Sequence, residues 1–355
     1  MSIAAERAVD ELKRGRPVIV AGTAEALAVL SVEVATDAAL ADFDGDGRAD
    51  LLITDKRAAS LKLANQRPAA GMHAVRLARP DWIDAAGAYA IADPVSDLST
   101  PLKGPFRTVP LADEAAAGAA LQLVKFGGLL PSVHVRAARA GDDFPRVQVD
   151  EVETYRSSGT LAEIGRAKLP VKGAPDARVV AFRSPGGPEH LALLIGDWRP
   201  GAQVPPPLTR LHSACLTGDV LGSLKCDCGD QLHAAVAAMT EAGGGVLLYL
   251  QQEGRGIGLI NKMRAYALQD QGYDTVDANL RLGFEVDERD FGIAAEMLAQ
   301  LEIPRIRLLT NNPEKVGALG KTGIEVVERV PLVAGHGPLN EAYLATKRDR
   351  TGHQF

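Results

Sequence analysis

Apolar residues recur at helical spacing over residues 5–13, which predicts an amphipathic helix. Gly15-Arg16-Pro17 ends it, and Val18-Ile19-Val20 predicts a short apolar strand. Residues 114–130 read as a buried helix that stops at Gly127-Gly128. Segment 140–165 is polar and mixed, and marks a domain boundary. The stretch 199–207 holds four prolines and Gly201, which predicts an extended surface connection. From residue 208 the elements alternate. Residues 231–242 carry a helical stripe (Leu232, Val236, Met239) and end at Gly243-Gly244-Gly245. Residues 246–250 predict a strand, 259–271 a helix ending at Gly272, and 288–301 a helix with Phe291, Ala295, Leu298 and Leu301 on one face. Residues 305–310 and 324–330 predict strands around a helix opened by Pro313. Such alternation implies an α/β or α+β domain with a largely buried sheet. The tail 346–355 is polar and reads as loose, and no internal repeat is visible.

A length of 355 residues suits two domains at roughly 150 residues each. With 46% hydrophobic and 24% charged residues the chain is too apolar for disorder. A net charge of −6 leaves no basic footprint, so nucleic acid is not an expected partner. A local cationic pocket for a small anion remains compatible with that balance. No stretch approaches the roughly 20 apolar residues that span a bilayer, and the first residues, with an early Glu6, do not read as a signal peptide. The expectation is a cytoplasmic protein without a membrane partner.

The three cysteines, Cys215, Cys226 and Cys228, all fall between residues 215 and 228. Scattered core cysteines would not cluster so, and a disulfide framework is not expected in a reducing compartment. Thiolates that converge to about 2.3 Å from a common centre make a zinc site. Cys226 and Cys228 can both reach a metal only from a sharp turn, which Gly229 could supply. Three protein ligands with an open corner make a catalytic site, and the flanking residues favour this reading. His212 or His233 as a fourth ligand would make it structural; unmetallated thiols are the third possibility.

Further chemistry surrounds the cluster. The loop Glu253-Gly254-Arg255-Gly256-Ile257-Gly258 lets backbone approach a ligand closely, and Arg255 can grip phosphate with two hydrogen bonds. Taken alone the loop is an ordinary strand-to-helix turn. Thr310-Asn311-Asn312-Pro313 ends a strand and opens a helix whose N-terminus favours an anion, with Lys315 adding charge. Its plain reading is Asn312 capping a helix with proline in its first turn. Asp287 and Asp290 look like an N-terminal capping pair.

Several motifs then stand in order: Arg210-Leu211-His212-Ser213-Ala214-Cys215-Leu216-Thr217-Gly218-Asp219, Lys225-Cys226-Asp227-Cys228-Gly229, Gln252-Glu253-Gly254-Arg255-Gly256, Ala265-Tyr266-Ala267, Asp287-Glu288-Arg289-Asp290 and Leu309-Thr310-Asn311-Asn312-Pro313-Glu314-Lys315. Over residues 166 to about 350 the chain closely resembles GTP cyclohydrolase II, the first committed enzyme of riboflavin synthesis. The resemblance implies a catalytic domain over 166–355, with Cys215, Cys226 and Cys228 holding one Zn2+ per subunit and Mg2+ accompanying the triphosphate. It implies that GTP loses pyrophosphate and then formate from C8, leaving a diamino-ribosylamino-pyrimidinone 5′-phosphate. By the same matching Tyr266 stands beside the attacking water. Arg289 acts on the α-phosphorus with Asp287 assisting, as nucleophile or as fixed charge. Arg210, Leu211, His212, Ser213, Ala214, Gln231, Glu253, Gly254, Arg255, Thr275, Thr310 and Lys315 line the GTP site. The family tends to form homodimers. One departure stands out: Ala214 occupies a position that is usually glutamate. It supports one alternative, a paralogue with an altered product or nucleotide; a rival from another class is a non-catalytic zinc- and nucleotide-binding regulatory protein, which would have no need of Tyr266, Asp287 and Arg289.

Residues 1–155 carry traces of 3,4-dihydroxy-2-butanone 4-phosphate synthase. Arg14-Gly15-Arg16-Pro17-Val18-Ile19-Val20 resembles its opening strand, and 119–131 resembles one of its helices. The acidic stretch expected after the first strand is replaced by Ala21-Gly22-Thr23-Ala24, and 107–114 lacks the expected histidine. The resemblance therefore implies a degenerate, inactive domain. Asp42, Asp44, Asp46 and Asp50 around Gly47 mimic a calcium loop, but residue 53 is isoleucine where the loop needs a bidentate glutamate. A solvated acidic turn is the expectation.

Overall fold

The structure is a computed structural model and describes residues 2–63, 66, 71–155, 161–184, 187–196, 205–335, 337–338, 340–352 and 354. Most of the proline-rich connection at 199–207 lies outside these residues. The chain forms two compact units. One comprises Met1–Gly159 with Leu259–Asp287, the other Thr160–Gly258 with Glu288–Phe355. The division after Gly159 falls within the 140–165 segment, and 259–287 groups with the first unit.

The first unit is built on strands β1 (Val18–Ala21), β2 (Ala26–Ser31), β3 (Asp50–Thr54), β4 (Ala74–Leu77), β5 (Thr108–Val109), β6 (Ser132–Ala137) and β7 (Arg146–Gln148), in the order β5-β4-β3-β6-β2-β1-β7. All neighbours are antiparallel except β1 and β7. Helix Glu114–Phe126 lays Ala116, Ala120, Leu123 and Val124 against Val18, Val20, Val29, Val133 and Val135, so small helix residues meet branched strand residues in the core. Asp113 caps that helix through Ala116 N at 3.0 Å and accepts Ala24 N at 2.8 Å. These N–H groups hold its carboxyl below the usual carboxylate range. The same carboxylate closes the β1–β2 turn, and a Cβ on Gly22 would lie 2.2 Å from it. In the acidic 42–50 run Asp44 pairs with Arg79 and accepts Ala49 N, and Asp50 pairs with Arg76 at 2.7 Å, while Asp42 and Asp46 are exposed.

The second unit contains β8 (Ala162–Lys168), β9 (Arg178–Arg183), β10 (Glu189–Gly196), β11 (Leu208–Ser213), β12 (Gly244–Leu250), β13 (Arg305–Leu309) and β14 (Glu325–Val330), in the order β14-β13-β11-β12-β10-β9-β8. The β14-β13-β11-β12 half is parallel and the β12-β10-β9-β8 half antiparallel. β12 is a buried apolar run, as a strand covered on both faces must be, whereas β11 buries Thr209, Arg210 and His212 beside Leu208 and Leu211, and β13 buries Ile306, Leu308 and Leu309. The carboxyl ends of these three neighbouring strands lie at one end of the sheet, where ligands collect in α/β folds.

Two local expectations change. The helix expected over 288–301 spans Gly292–Gln300, with Asp290 Oδ1 accepting Gly292 N at 2.8 Å, so Asp287 and Asp290 are not its capping pair. The tail is helical over Glu341–Thr351, and Gln354 N donates to Asn311 O at 2.9 Å.

His134 sits fully buried on β6, with no partner for either ring nitrogen among the described residues. Burial, with Arg79 nearby, pushes its pKa down to about 3. The imidazole stays neutral in the fold, whereas the unfolded chain binds a proton near pH 6.5. Stability is therefore full above that pH and falls as the pH drops toward 3. We expect thermal melts to show a fall from pH 7.5 to 5.5, of which His134→Leu removes about 1 kcal/mol. An unchanged pH slope in the variant would contradict this.

Candidate metal centre and nucleotide site

Cys215 follows β11, and Cys226 and Cys228 close the next loop, with Cys228 the first residue of helix Cys228–Glu241. The three sulfurs lie within 4.8 Å of one another, and Cys215 Sγ and Cys226 Sγ are 3.7 Å apart. Two sulfurs at tetrahedral corners about 2.3 Å from one zinc would be separated by about 3.8 Å, so this spacing fits the ion. Gly218 and Gly229 make the convergence possible. A Cβ on Gly218 would lie 2.8 Å from Cys226 Sγ and 3.1 Å from Cys215 Sγ; one on Gly229 would lie 2.5 Å from Gly218 O. Gly229 thus serves close backbone approach rather than the sharp turn expected of it. Proximity to Cys215 and burial push the Cys226 and Cys228 thiols up, a mutual penalty that a shared cation removes. Among the described residues the group contains no fourth ligand. His212 Nε2 faces Asp219, and His233 lines a cavity of about 400 Å³ beside Cys226. The closed site with either histidine as fourth ligand is not formed.

Asp219, quoted in the motif but given no role from sequence, braces the centre. Its carboxylate accepts Cys215 N at 3.0 Å and Tyr249 OH at 2.9 Å, and stands 3.1 Å from His212 Nε2. His212 stacks on Tyr249, and burial keeps its pKa low. The only signal in the sequence was an acid four residues after a cysteine in a glycine turn. Cys215 Sγ also accepts Gly218 N at 3.3 Å, a contact that favours thiolate.

The other predicted residues of this unit gather at the same sheet end. Arg210 is buried, donates to Leu309 O at 3.0 Å and to Gln231 Oε1, and burial lowers its pKa to about 10. Gln231 in turn donates to Asp227. Leu211 is core, and its carbonyl accepts Lys315 Nζ at 3.2 Å. Ala214 is buried, its N bonded to Leu250 O. Glu253 ties the glycine loop to the metal loop by accepting Leu216 N at 2.7 Å and Gly254 N at 3.1 Å. Gly254 and Arg255 both take left-handed backbone; for Arg255 this is a strained conformation of the kind held at functional sites. Arg255 O accepts Glu288 N at 3.0 Å, which bonds the glycine loop to the chain before Arg289. Arg289 reaches Ser213 Oγ at 3.4 Å and lies over the Phe291 ring at 5.1 Å; Lys315 lies 5.6 Å from the centre of the same ring. Thr310 Oγ1 accepts Asn312 N, and Asn312 caps helix Pro313–Gly320, so the capping reading of this motif holds.

Tyr266, Thr275 and Asp287 belong instead to the first unit. Tyr266 lies on helix Leu259–Asp270 with Lys262 Nζ 5.7 Å from its ring centre, and Thr275 opens helix Thr275–Arg281 and accepts Gln269 Nε2 at 3.2 Å.

A family model described as GTP cyclohydrolase II matches residues 162–331. The GTP cyclohydrolase-2 of Azospirillum brasilense is 43% identical over 375 aligned residues, which cover all of this chain and 96% of that protein. The GTP cyclohydrolase-2 of Cronobacter sakazakii is 55% identical over 194 residues, 54% of this chain and 96% of that protein. A crystal structure of RibBX, a two-domain 3,4-dihydroxy-2-butanone 4-phosphate synthase from A. baumannii, aligns with 93% of this chain and 99% of its own at 16% identity and a TM-score of 0.33. With a three-cysteine centre at the end of a parallel sheet, and a relative aligned along its entire length, this chain belongs to the GTP cyclohydrolase II family.

Proposed function

We propose that this chain is a zinc-dependent GTP cyclohydrolase II. It converts GTP to 2,5-diamino-6-(5-phosphoribosylamino)pyrimidin-4(3H)-one, formate and pyrophosphate, the first step of riboflavin biosynthesis. The observation that carries the reading is the trio of converging sulfurs without a fourth described ligand, beside Ser213 and Arg289. A zinc ion held by Cys215, Cys226 and Cys228 would supply Lewis acidity that activates water at neutral pH. The chain's own groups do the rest. Arg255 and Lys315 take the triphosphate, which carries Mg2+, and Arg289 meets the α-phosphate. A guanidinium stays protonated unless a base takes its proton, so Asp287 is its partner if it attacks phosphorus; otherwise Arg289 acts as fixed charge. Tyr266 orients the water that opens the imidazole ring. Arg210, buried and committed to Leu309 O and Gln231, supports the floor of the site.

The remaining assignments follow the family. The protein works as a cytoplasmic homodimer; among the described residues no helix is long and apolar enough to cross a membrane. We infer that the first half is inactive as a synthase, a reading supported by Ala21-Gly22-Thr23-Ala24 in place of the expected acidic stretch and by the histidine missing from 107–114. Buried Ala214 supports a second reading, a paralogue with altered nucleotide preference or product.

Incubation with GTP is expected to release formate, and mass spectrometry to find the named pyrimidinone. Prolonged chelation should abolish release and zinc should restore it; activity without zinc would contradict the mechanism. Asp219→Ala is expected to weaken zinc by about ten- to a hundredfold in chelator competition, since it removes the acceptor for Cys215 N and Tyr249 OH. Unchanged affinity would remove Asp219 from the centre. Ala214→Glu is expected to lower KM for GTP by about tenfold with little change in kcat. No improvement would mean that the alanine costs nothing.

A further inference from the structure

Residues 259–287 leave the second unit after Gly258 and rejoin it at Glu288, yet they are docked against the first half of the chain. The docking is built from charge as well as packing. Arg264 Nε donates to Asp93 Oδ2 at 3.1 Å, and Nη2 donates to Glu33 Oε1 at 3.0 Å and Tyr89 OH at 3.1 Å. Its Nη1 donates to Asn261 Oδ1 at 2.7 Å, and Asn261 Nδ2 donates to Gly128 O at 3.0 Å. The two carboxylates are fixed from behind: Glu33 accepts Leu130 N at 2.6 Å, and Asp93 accepts Val95 N at 2.9 Å and Tyr89 OH at 3.0 Å. Arg264, Glu33 and Asp93 have side chains only 12%, 13% and 8% exposed, so each charge depends on the others.

Further along, Gln271 Nε2 donates to Val95 O at 2.9 Å, and Phe284 is buried with Lys125 Nζ 5.5 Å from its ring centre. Gly283 has φ +87°, and a Cβ there would lie 2.7 Å from Thr54 Oγ1 and 2.9 Å from Pro131 Cγ. Contacts thus hold the segment near both ends. The first half thus holds a buried ion network whose partner is the stretch carrying Tyr266 and Asp287.

We infer that the first half of the chain is a docking platform that positions residues 259–287 for the reaction, with Arg264 as the positioning residue and Glu33 and Asp93 as its receptors. Arg264 lies two residues from Tyr266 on one helix and takes no part in the chemistry itself. The inference rests on the cyclohydrolase reading, because only there does the placement of Tyr266 and Asp287 set a rate. Misplacing reacting groups by about 1 Å costs on the order of a hundredfold, so loosening the dock reads out in turnover.

The test uses the full chain. In Glu33→Gln/Asp93→Asn, kcat for formate release is expected to fall about ten- to a hundredfold, with KM for GTP within about threefold and zinc content unchanged. Amide hydrogen exchange should speed up over 259–287. Arg264→Ala should match this pattern, and the triple variant should be no worse than either parent, because all three changes break one network. Should the double variant fail to fold, Tyr89→Phe removes two of the hydrogen bonds and is expected to give a smaller loss of the same pattern. Faster exchange with full kcat, joint loss of zinc and KM, or unaltered exchange would each overturn the inference. If the unsubstituted chain releases no formate from GTP, it is the cyclohydrolase reading that has failed, and the positioning role falls with it; the exchange data then show whether the network holds the segment.

Discussion

Three sulfurs can converge on one point only if the backbone beneath them lacks side chains. Gly218 fills that position: any Cβ would strike two of the cysteines, and Gly229 must be equally bare to let the Cys228 helix begin against the Gly218 carbonyl. Asp219 then fixes the first cysteine from its backbone N–H, and Tyr249 and His212 bond to the same carboxylate. Thiols packed so closely raise one another's pKa, so the arrangement is electrostatically incomplete without a cation.

The sheet supplies the arrangement. β13, β11 and β12 run parallel as neighbours, so the three segments that follow them emerge side by side. One carries Cys215, one the Glu253–Gly256 turn, and one the Thr310 to Lys315 turn and helix. Bonds between them replace what loop sequence alone leaves free. Glu253 accepts the N–H of Leu216, and Arg255 O accepts Glu288 N while its own backbone is held left-handed. Arg210 and Lys315 are buried and hydrogen-bonded, and Arg289 lies over the Phe291 ring, so these three cations are ordered before any anion arrives.

The first half serves the same economy differently. Asp113 both caps a helix and ties down a four-residue turn. Charges that remain are paired inward, as in the two-pronged Arg57–Asp97 and Arg136–Asp142 contacts.

The sequence alone carried what depends on spacing between near neighbours. The cysteine trio, Asn312 as the cap before Pro313, the alternating elements after residue 208 and the glycine-rich turn were all legible, because periodicity, capping and metal-ligand spacing act over a few residues. Where helix Gly292–Gln300 begins was not, since Asp290 turns the chain by bonding Gly292 N and hands its carbonyl to Gln252, a partner from another loop. The work of Asp219 was equally hidden, because its partners Tyr249 and His212 arrive from neighbouring strands. Nor could the sequence tell that 259–287 leaves its own half to dock elsewhere. The contacts there include Arg264 meeting Glu33 and Asp93, more than 170 residues away along the chain, and only the closed fold makes such charges neighbours.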